Sequence, residues 1–152
     1  MKRYWKAALS AICVLTLLCT LAACAGDAGE KQYDWGITLA AENVTPTGLT
    51  LVCTQSGGNP TGELDTGSMF WLEGKDGSKW VSVQTVVKQD EIAWDSLAYL
   101  IPMAGESSWE VNWEYLYGTL SAGTYRIGKE VMDFRGPGDY DTQKYYAEFV
   151  IE

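Results

Sequence analysis

In its second half the chain reads Leu120-Ser-Ala-Gly123-Thr-Tyr125-Arg-Ile127. This spacing is typical of a tyrosine corner, in which a tyrosine near the start of the penultimate strand donates a hydrogen bond to upstream backbone and fixes a crossing between two sheets. Gly123 would allow the close approach of the chain that the corner needs. The alternative is an ordinary turn followed by a strand with a core tyrosine. The strand pattern on either side favours the corner.

Alternation of apolar and polar residues extends over most of the chain from Tyr33 onward, and turn residues such as Asp76-Gly77 separate the runs. About seven short strands without a long helix or an internal repeat predict an all-β fold, an antiparallel β-sandwich. The shorter strands are expected at residues 70–73, 80–83 and 98–101. The same-face apolar positions of the longer strands are Trp35, Ile37 and Leu39; Leu49, Leu51 and Cys53; Trp109, Val111, Trp113 and Tyr115; Tyr125, Ile127 and Val131; and Tyr145, Ala147, Phe149 and Ile151.

A single segment has helical periodicity. Trp94, Leu97 and Ile101 recur at the spacing of one helix face, and Asp90 stands where a capping residue would stand. We expect a turn or a short helix over residues 90–101 that leads into a strand.

The body of the chain resembles a bacterial immunoglobulin-like domain family that occurs alone in lipoproteins and as an appended extracellular module. The matching stretches are Asn43-Val-Thr-Pro-Thr-Gly-Leu-Thr-Leu51, Trp109-Glu-Val-Asn-Trp-Glu-Tyr-Leu-Tyr-Gly118, Gly123-Thr-Tyr-Arg-Ile-Gly-Lys129, Asp133-Phe134 and Tyr145-Tyr-Ala-Glu-Phe149. The resemblance implies an immunoglobulin-like sandwich over residues 33–152. It implies little chemistry, and it carries over no catalytic or binding residue.

The N-terminal segment predicts where the protein is located. A basic start with Lys2, Arg3 and Lys6 precedes an apolar run of about fifteen residues, which is shorter than the roughly twenty that span a membrane. The run ends in Leu21-Ala-Ala-Cys24, which is typical of a cleaved signal peptide whose cysteine receives lipid. A plain secretory cleavage after Ala25 is the alternative. We predict a signal peptide at residues 1–23, a lipidated Cys24 with a flexible tether at residues 24–32, and the domain at residues 33–152.

Charge and cysteine content limit the partners. Cleavage before Cys24 would leave 129 residues and change the formal net charge from −9 to −12, because three basic residues and no acidic ones are removed. Such a surface repels nucleic-acid phosphates and anionic lipid headgroups, so we expect no nucleic-acid partner and an extracytoplasmic protein that lipid alone anchors to the membrane. Cys53 would be the one remaining thiol, predicted to be a buried apolar side chain without a disulfide.

Catalysis is not indicated. The chain has no histidine, which excludes Ser-His-Asp and Cys-His nucleophile systems. Glu110 and Glu114, on one face of an extended strand, would stand about 13 Å apart, whereas glycosidase carboxyl pairs stand about 5–9.5 Å apart. We predict no enzyme activity, no catalytic residue and no cofactor.

Two binding hypotheses remain open. Asp133, Asp139 and Asp141 offer oxygens to a calcium ion, but Arg135 lies among them and the spacing fits no EF-hand loop. We therefore predict no metal site and keep calcium as the alternative. The polar segment at residues 54–67 is expected to be a connecting loop, with recognition as its alternative role.

The tryptophans raise a carbohydrate hypothesis, because sugars stack on exposed aromatic rings. Six remain after the signal: Trp35, Trp71, Trp80, Trp94, Trp109 and Trp113. Trp35, Trp109 and Trp113 are predicted to face inward, whereas the alternation leaves Trp71 and Trp80 undecided. The sequence thus favours a non-catalytic, membrane-anchored protein-binding or accessory module, with a glycan-binding lipoprotein as the alternative. It identifies no binding residues.

We expect lipid to attach to Cys24. When cells are grown with a labelled fatty acid, the wild-type chain and Cys53→Ala should incorporate the label, and Cys24→Ala should not. Equal labelling of wild type and Cys24→Ala would contradict the prediction.

Overall fold

A computed structural model gives the structure of the protein and describes residues 31–152. The predicted signal peptide, Cys24 and most of the predicted tether lie outside the described residues. Within the described part, no helix has the length and apolarity needed to cross a membrane.

The described residues form nine strands, a short 3-10 helix and one short α-helix. The strands are β1 Ile37–Thr45, β2 Gly48–Gln55, β3 Glu63–Thr66, β4 Trp71–Asp76, β5 Lys79–Ser82, β6 Tyr99–Leu100, β7 Glu106–Asn112, β8 Gly123–Gly136 and β9 Asp139–Ile151; the 3-10 helix is Gln89–Glu91 and the α-helix, α1, is Glu114–Tyr117.

The strands pair antiparallel in two sheets, which confirms the predicted sandwich. The smaller sheet has the order β1-β2-β7, and the larger contains β5, β4, β8, β3, β6 and β9. β9 pairs along almost the whole of β8. The other edge of β8 pairs first with β4, at Tyr125–Gly128, and then with β3, at Val131–Phe134. The larger sheet is therefore organised around β8.

The core lies between the two sheets and follows the predicted alternation. Leu39, Leu51 and Cys53 are buried on the inner face of the smaller sheet. Ile127 and Phe149 are buried opposite them on the larger sheet. Aromatic stacking adds to this packing, since the rings of Trp113 and Phe149 lie 5.5 Å apart at 28°. The strands are thus bound by apolar burial without any disulfide at Cys53, which is free.

The tyrosine corner is present. The Tyr125 hydroxyl donates a hydrogen bond of 3.0 Å to the carbonyl oxygen of Ser121. A Cβ on Gly123 would lie 3.2 Å from the Tyr125 ring, so the small residue keeps the ring in place. The Tyr125 ring also stacks on Phe149 at 5.8 Å. The corner therefore joins the start of β8 to the core.

Two predictions about local structure were wrong. Tyr115 does not lie in a strand: β7 ends at Asn112, α1 follows, and Tyr115 is 65% exposed. The predicted short helix leading into a strand is present as the 3-10 helix and β6, but Asp90 does not cap it: the helix begins at Gln89, with Lys88 in the capping position. Residues 92–98 then run without regular structure to β6. Ile92 and Trp94 pack against the core, whereas Leu97, which the helical pattern placed on the same face as Trp94, is exposed.

The strand boundaries also differ from the prediction. The sandwich has nine strands rather than about seven, partly because β3 lies inside the predicted loop at residues 54–67. Residues 133–141, which contain the three aspartates considered for calcium, form a tight hairpin between β8 and β9, since Gly136 pairs directly with Asp139. In this polar stretch, Arg135 binds Asp139 and Asp141, and Asp133 accepts hydrogen bonds from Thr61.

The Tyr125 hydroxyl should contribute measurably to stability. We expect Tyr125→Phe to lower the free energy of unfolding by about 0.5–1.5 kcal/mol, the usual net value of one hydrogen bond. Tyr115→Phe, which removes the hydroxyl of an exposed tyrosine, should change it by less than about 0.5 kcal/mol. Chemical denaturation measures both, and equal effects would contradict the assigned corner.

Candidate functional site

The two outer faces of the sandwich differ in composition. The smaller sheet presents mainly short or polar side chains, among them Thr38, Glu42 and Thr54. The larger sheet presents a group of long aromatic and charged side chains on β4, β5, β8 and β9. We call this group the aromatic–arginine cluster; its members are Trp71, Glu73, Trp80, Arg126 and Tyr146.

Arg126 is at the centre of the cluster. Its guanidinium carbon lies 4.7 Å from the ring centre of Trp80 and 3.9 Å from that of Tyr146, so the cation is held between two rings. Its Nε donates to the Glu73 carboxylate. The strands set this geometry because Arg126 is the register partner of Glu73 on β4 and is flanked by the β9 residues. The result is an outward-facing cation held in a defined orientation.

Trp71 forms a second part of the cluster. Its indole covers Gly128 on β8, where any Cβ would overlap the ring atoms. It also meets Tyr146 edge-on, with ring centres 5.8 Å apart and an angle of 82°. Gly128 therefore provides the space that brings the indole across the sheet from β4 to β9.

The tryptophans divide between the inner and outer faces of the sandwich. Trp35 and Trp113 are 2% and 0% exposed and face inward as predicted. Trp109 is only half-buried but packs on the core from the inner face, which is also as predicted. The two undecided rings, Trp71 and Trp80, are half-buried on the outer face of the larger sheet.

Lys129 lies on the opposite side of β8 from Arg126, so the two form no common patch. It is 6% exposed. Its Nζ donates to the carbonyl oxygen of Gly67 and lies 5.7 Å from the ring centre of Trp109. Burial lowers the pKa of Lys129 to about 8, and the charge of Asp95 only partly opposes this effect.

A cavity of about 430 Å³ adjoins Lys129. It lies between β7 of the smaller sheet and the segment around Gly67 and Phe70 that enters β4. Leu51, Phe70 and Trp109 contribute apolar surface, and Tyr99 lies beside them. The cavity and the buried ammonium group form the second candidate site.

The three aspartates proposed for calcium surround Arg135 instead. Its guanidinium donates to Asp139 and Asp141, each at 2.9 Å, and contacts Asp133 at 3.4 Å. Burial alone would raise the pKa of Asp133, but hydrogen bonds from Thr61 and the adjacent glycine, together with the Arg135 charge, lower it. Arg135 and the three aspartates thus form a structural ion-pair network at the β8–β9 hairpin. In the described part of the chain, no three histidine, cysteine or acidic residues are grouped as metal ligands.

Other residues considered from sequence have structural surroundings. Cys53 is fully buried, as predicted, and burial raises its thiol pKa to about 11. Glu110 accepts a hydrogen bond of 2.8 Å from Thr50 on the neighbouring strand. Glu114 lies on α1 rather than on the same strand, so the two glutamates do not share a strand face.

The sequence alone did not identify Lys129 or Asp133 as buried. The alternation of the strand could have revealed their burial. Both residues lie at odd-numbered positions of one continuous strand, and Tyr125, Ile127 and Val131 at such positions face inward. Asp133 was missed because the strand was expected to end near Val131. Lys129 lies inside the expected strand, but its charge argued against a buried position.

An antiparallel sandwich with a tyrosine corner in its penultimate strand defines the class of immunoglobulin-like domains. The chain belongs to the bacterial Ig-like domain family, whose model matches residues 32–150. The resemblance to a bacterial immunoglobulin-like domain is thereby confirmed. Domains of this family are typically extracellular or surface-exposed and are generally non-catalytic. Neither the curated proteins nor the solved structures contain a significant match to this chain.

Lys129 should destabilise the domain while it is charged. Its folded pKa, about 8, lies below the ordinary 10.5, so the unfolded chain retains the proton between these values and wild-type stability should rise with pH through that window. We expect Lys129→Met to be more stable than wild type at pH 7, by on the order of 2–3 kcal/mol, with the difference shrinking towards pH 10.5. Denaturation at both pH values measures this.

Lys79→Met, which removes an exposed lysine on β5, controls for the loss of one positive charge. A Lys129→Met difference that stays constant with pH, or that matches the control, would contradict the assigned burial.

Proposed function

We propose that this protein is an extracytoplasmic lipoprotein, anchored to the membrane through Cys24, whose immunoglobulin-like domain recognises a protein partner without catalysis. Support for the anchor comes from Leu21-Ala-Ala-Cys24 behind a short apolar run. Support for the location comes from the family, whose domains are typically extracellular or surface-exposed. Support for recognition comes from the outer face of the larger sheet.

The observation that carries the recognition proposal is Arg126 held between Trp80 and Tyr146. Tryptophan, tyrosine and arginine are the residues most enriched at energetic hot spots of protein interfaces. Stacking and the bond to Glu73 restrict Arg126 before any partner arrives, which reduces the side-chain entropy lost on binding. The mainly short and polar outer face of the smaller sheet offers no comparable group.

The net charge of the chain limits the kind of partner that it can bind. The chain carries a formal net charge of −9, and cleavage before Cys24 would make it more negative. Repulsion between like charges therefore favours a basic or neutral partner at long range, while Arg126 provides one local site for a carboxylate or carbonyl group. Lipid anchoring would hold this face near other components of the cell envelope.

A second function has specific support from Trp71. An indole that lies over Gly128, with the Tyr146 ring perpendicular to it, offers a flat apolar surface and an adjoining wall. Glu73 and Arg126 next to it supply hydrogen-bonding groups for hydroxyls. This geometry suits a sugar ring, so glycan binding is the alternative.

Capture from intact cells tests the protein-recognition proposal. The full lipidated chain should cross-link to a defined partner, and Arg126→Ala and Trp80→Ala should each reduce the yield at least about fivefold, the effect of losing a contact worth about 1 kcal/mol or more. Glu42→Ala, on the outer face of the smaller sheet, should leave the yield unchanged. Equal yields from all three variants would overturn the assignment of this face.

The glycan alternative has its own readout. Tryptophan fluorescence of the full chain should change with a member of a cell-envelope glycan panel, and Trp71→Ala should abolish the change while Trp94→Ala preserves it. Saturable fluorescence binding together with a lack of cross-linked protein would replace protein recognition by glycan recognition.

A further inference from the structure

Lys129 is a buried cation without an ion-pair partner in residues 31–152. The ion pairs at Arg126 and Arg135 do not include it. An ammonium group has three N–H donors. The carbonyl of Gly67 accepts one, and the ring of Trp109 offers a second weak contact. One donor therefore remains for which residues 31–152 supply no acceptor.

An unpaired buried ammonium group lowers the stability of the domain. The buried carboxylate of Asp133, by contrast, is paired. Asp133, the other buried charged residue of β8, accepts three hydrogen bonds and contacts Arg135. A buried charge without such compensation destabilises a fold by several kcal/mol, and apolar residues would fill the same volume at lower cost. Packing alone does not explain why a lysine occupies this buried position, whereas a functional role for its charge does.

The adjoining cavity has the properties of a small-molecule site. Its volume of about 430 Å³ falls within the 300–1,000 Å³ typical of such sites. Phe70, Leu51 and Trp109 form apolar walls, and Ser68 and Tyr99 add hydroxyl groups. The cavity would bury an apolar body while the ammonium group of Lys129 binds one charged end.

The charged groups around the cavity determine which ligand charge is favoured. Lys129 is the one cation among the described residues that line it. Glu110 also borders it, but its carboxylate is on the outer face of the smaller sheet, where it accepts a hydrogen bond from Thr50. The charged groups that act on Lys129 include Asp95, and the Cys53 thiol is close enough to interact if ionised. A single carboxylate neutralises Lys129, whereas a phosphate dianion would bring excess negative charge close to Asp95. The site therefore favours a monoanion.

We propose that the cavity beside Lys129 binds a small organic monocarboxylate, with its carboxylate on the Lys129 ammonium group and its apolar part between Phe70 and Trp109. This site lies on the inner side of β8, separate from the aromatic–arginine cluster. It does not depend on the recognition role proposed for that cluster.

A pair of probes that differ only in charge tests the proposal. Benzoate and benzamide have the same ring and similar size, so their difference reports the carboxylate. In titrations of the full chain in zwitterionic detergent, followed by tryptophan fluorescence at pH 6.5, benzoate should bind at least about tenfold tighter than benzamide, or about 1.4 kcal/mol. Acetate, which lacks the apolar part, should bind more weakly than benzoate.

Two variants assign the effect to the cavity. Lys129→Met should bind benzoate no better than benzamide. Arg126→Met, which removes the cation on the outer face of the same strand, should retain the full preference for benzoate. The same Arg126→Met variant should lose partner capture, so failure of either proposal can be told from failure of the other.

The pH dependence tests the proposal without a variant. Raising the pH of the wild-type titration from 6.5 to 9.5 should remove most of the preference for benzoate, because Lys129 loses its proton in that range. Equal binding of benzoate and benzamide at pH 6.5, a preference that survives Lys129→Met, or one that is unchanged at pH 9.5 would each overturn the proposal.

Discussion

The period-two alternation of β8 is the constraint on which the rest of the domain depends. Because successive side chains of a strand point to opposite faces, each step along Gly123–Gly136 decides whether a group meets the core or the solvent. Tyr125 closes the corner and Ile127 fills the core on one side, while Arg126 meets Glu73 on the other. A shift of register by one residue would expose the core and bury Arg126. The hairpin with β9 prevents such a shift, since it pairs the strand over nearly its whole length.

Sequence reasoning succeeded where one rule of local chemistry was sufficient. The alternation of apolar and polar residues predicted β1, β2 and β9. The spacing of Gly123 and Tyr125 predicted the tyrosine corner. It failed where two rules competed. Trp113 and Leu116 are both buried at a spacing of three, which is the spacing of a helix turn, but Tyr115 also fitted a strand. The glycine after α1 adopts a positive φ, which is common where a helix ends.

Other features depend on contacts between residues that are far apart in sequence. Asp133 lies in a strand rather than a loop because the backbone of Thr61, some seventy residues earlier, donates to its carboxylate. The outward tryptophans could not be placed from alternation alone, since the space for Trp71 comes from Gly128 on a different strand. Both candidate sites are therefore products of sheet register. They combine a cation from β8 with rings from β4, β5, β7 and β9, which no local pattern reveals.

The burial of Lys129 on the inner face of β8 is the most direct test of this account, because it requires the assigned alternation and the unpaired charge together. An NMR titration of the lysine side chains measures it. One lysine resonance, identified by its absence in Lys129→Met, should titrate near pH 8. Titration of that resonance at the ordinary lysine value of about 10.4 would contradict the buried position and the site built on it.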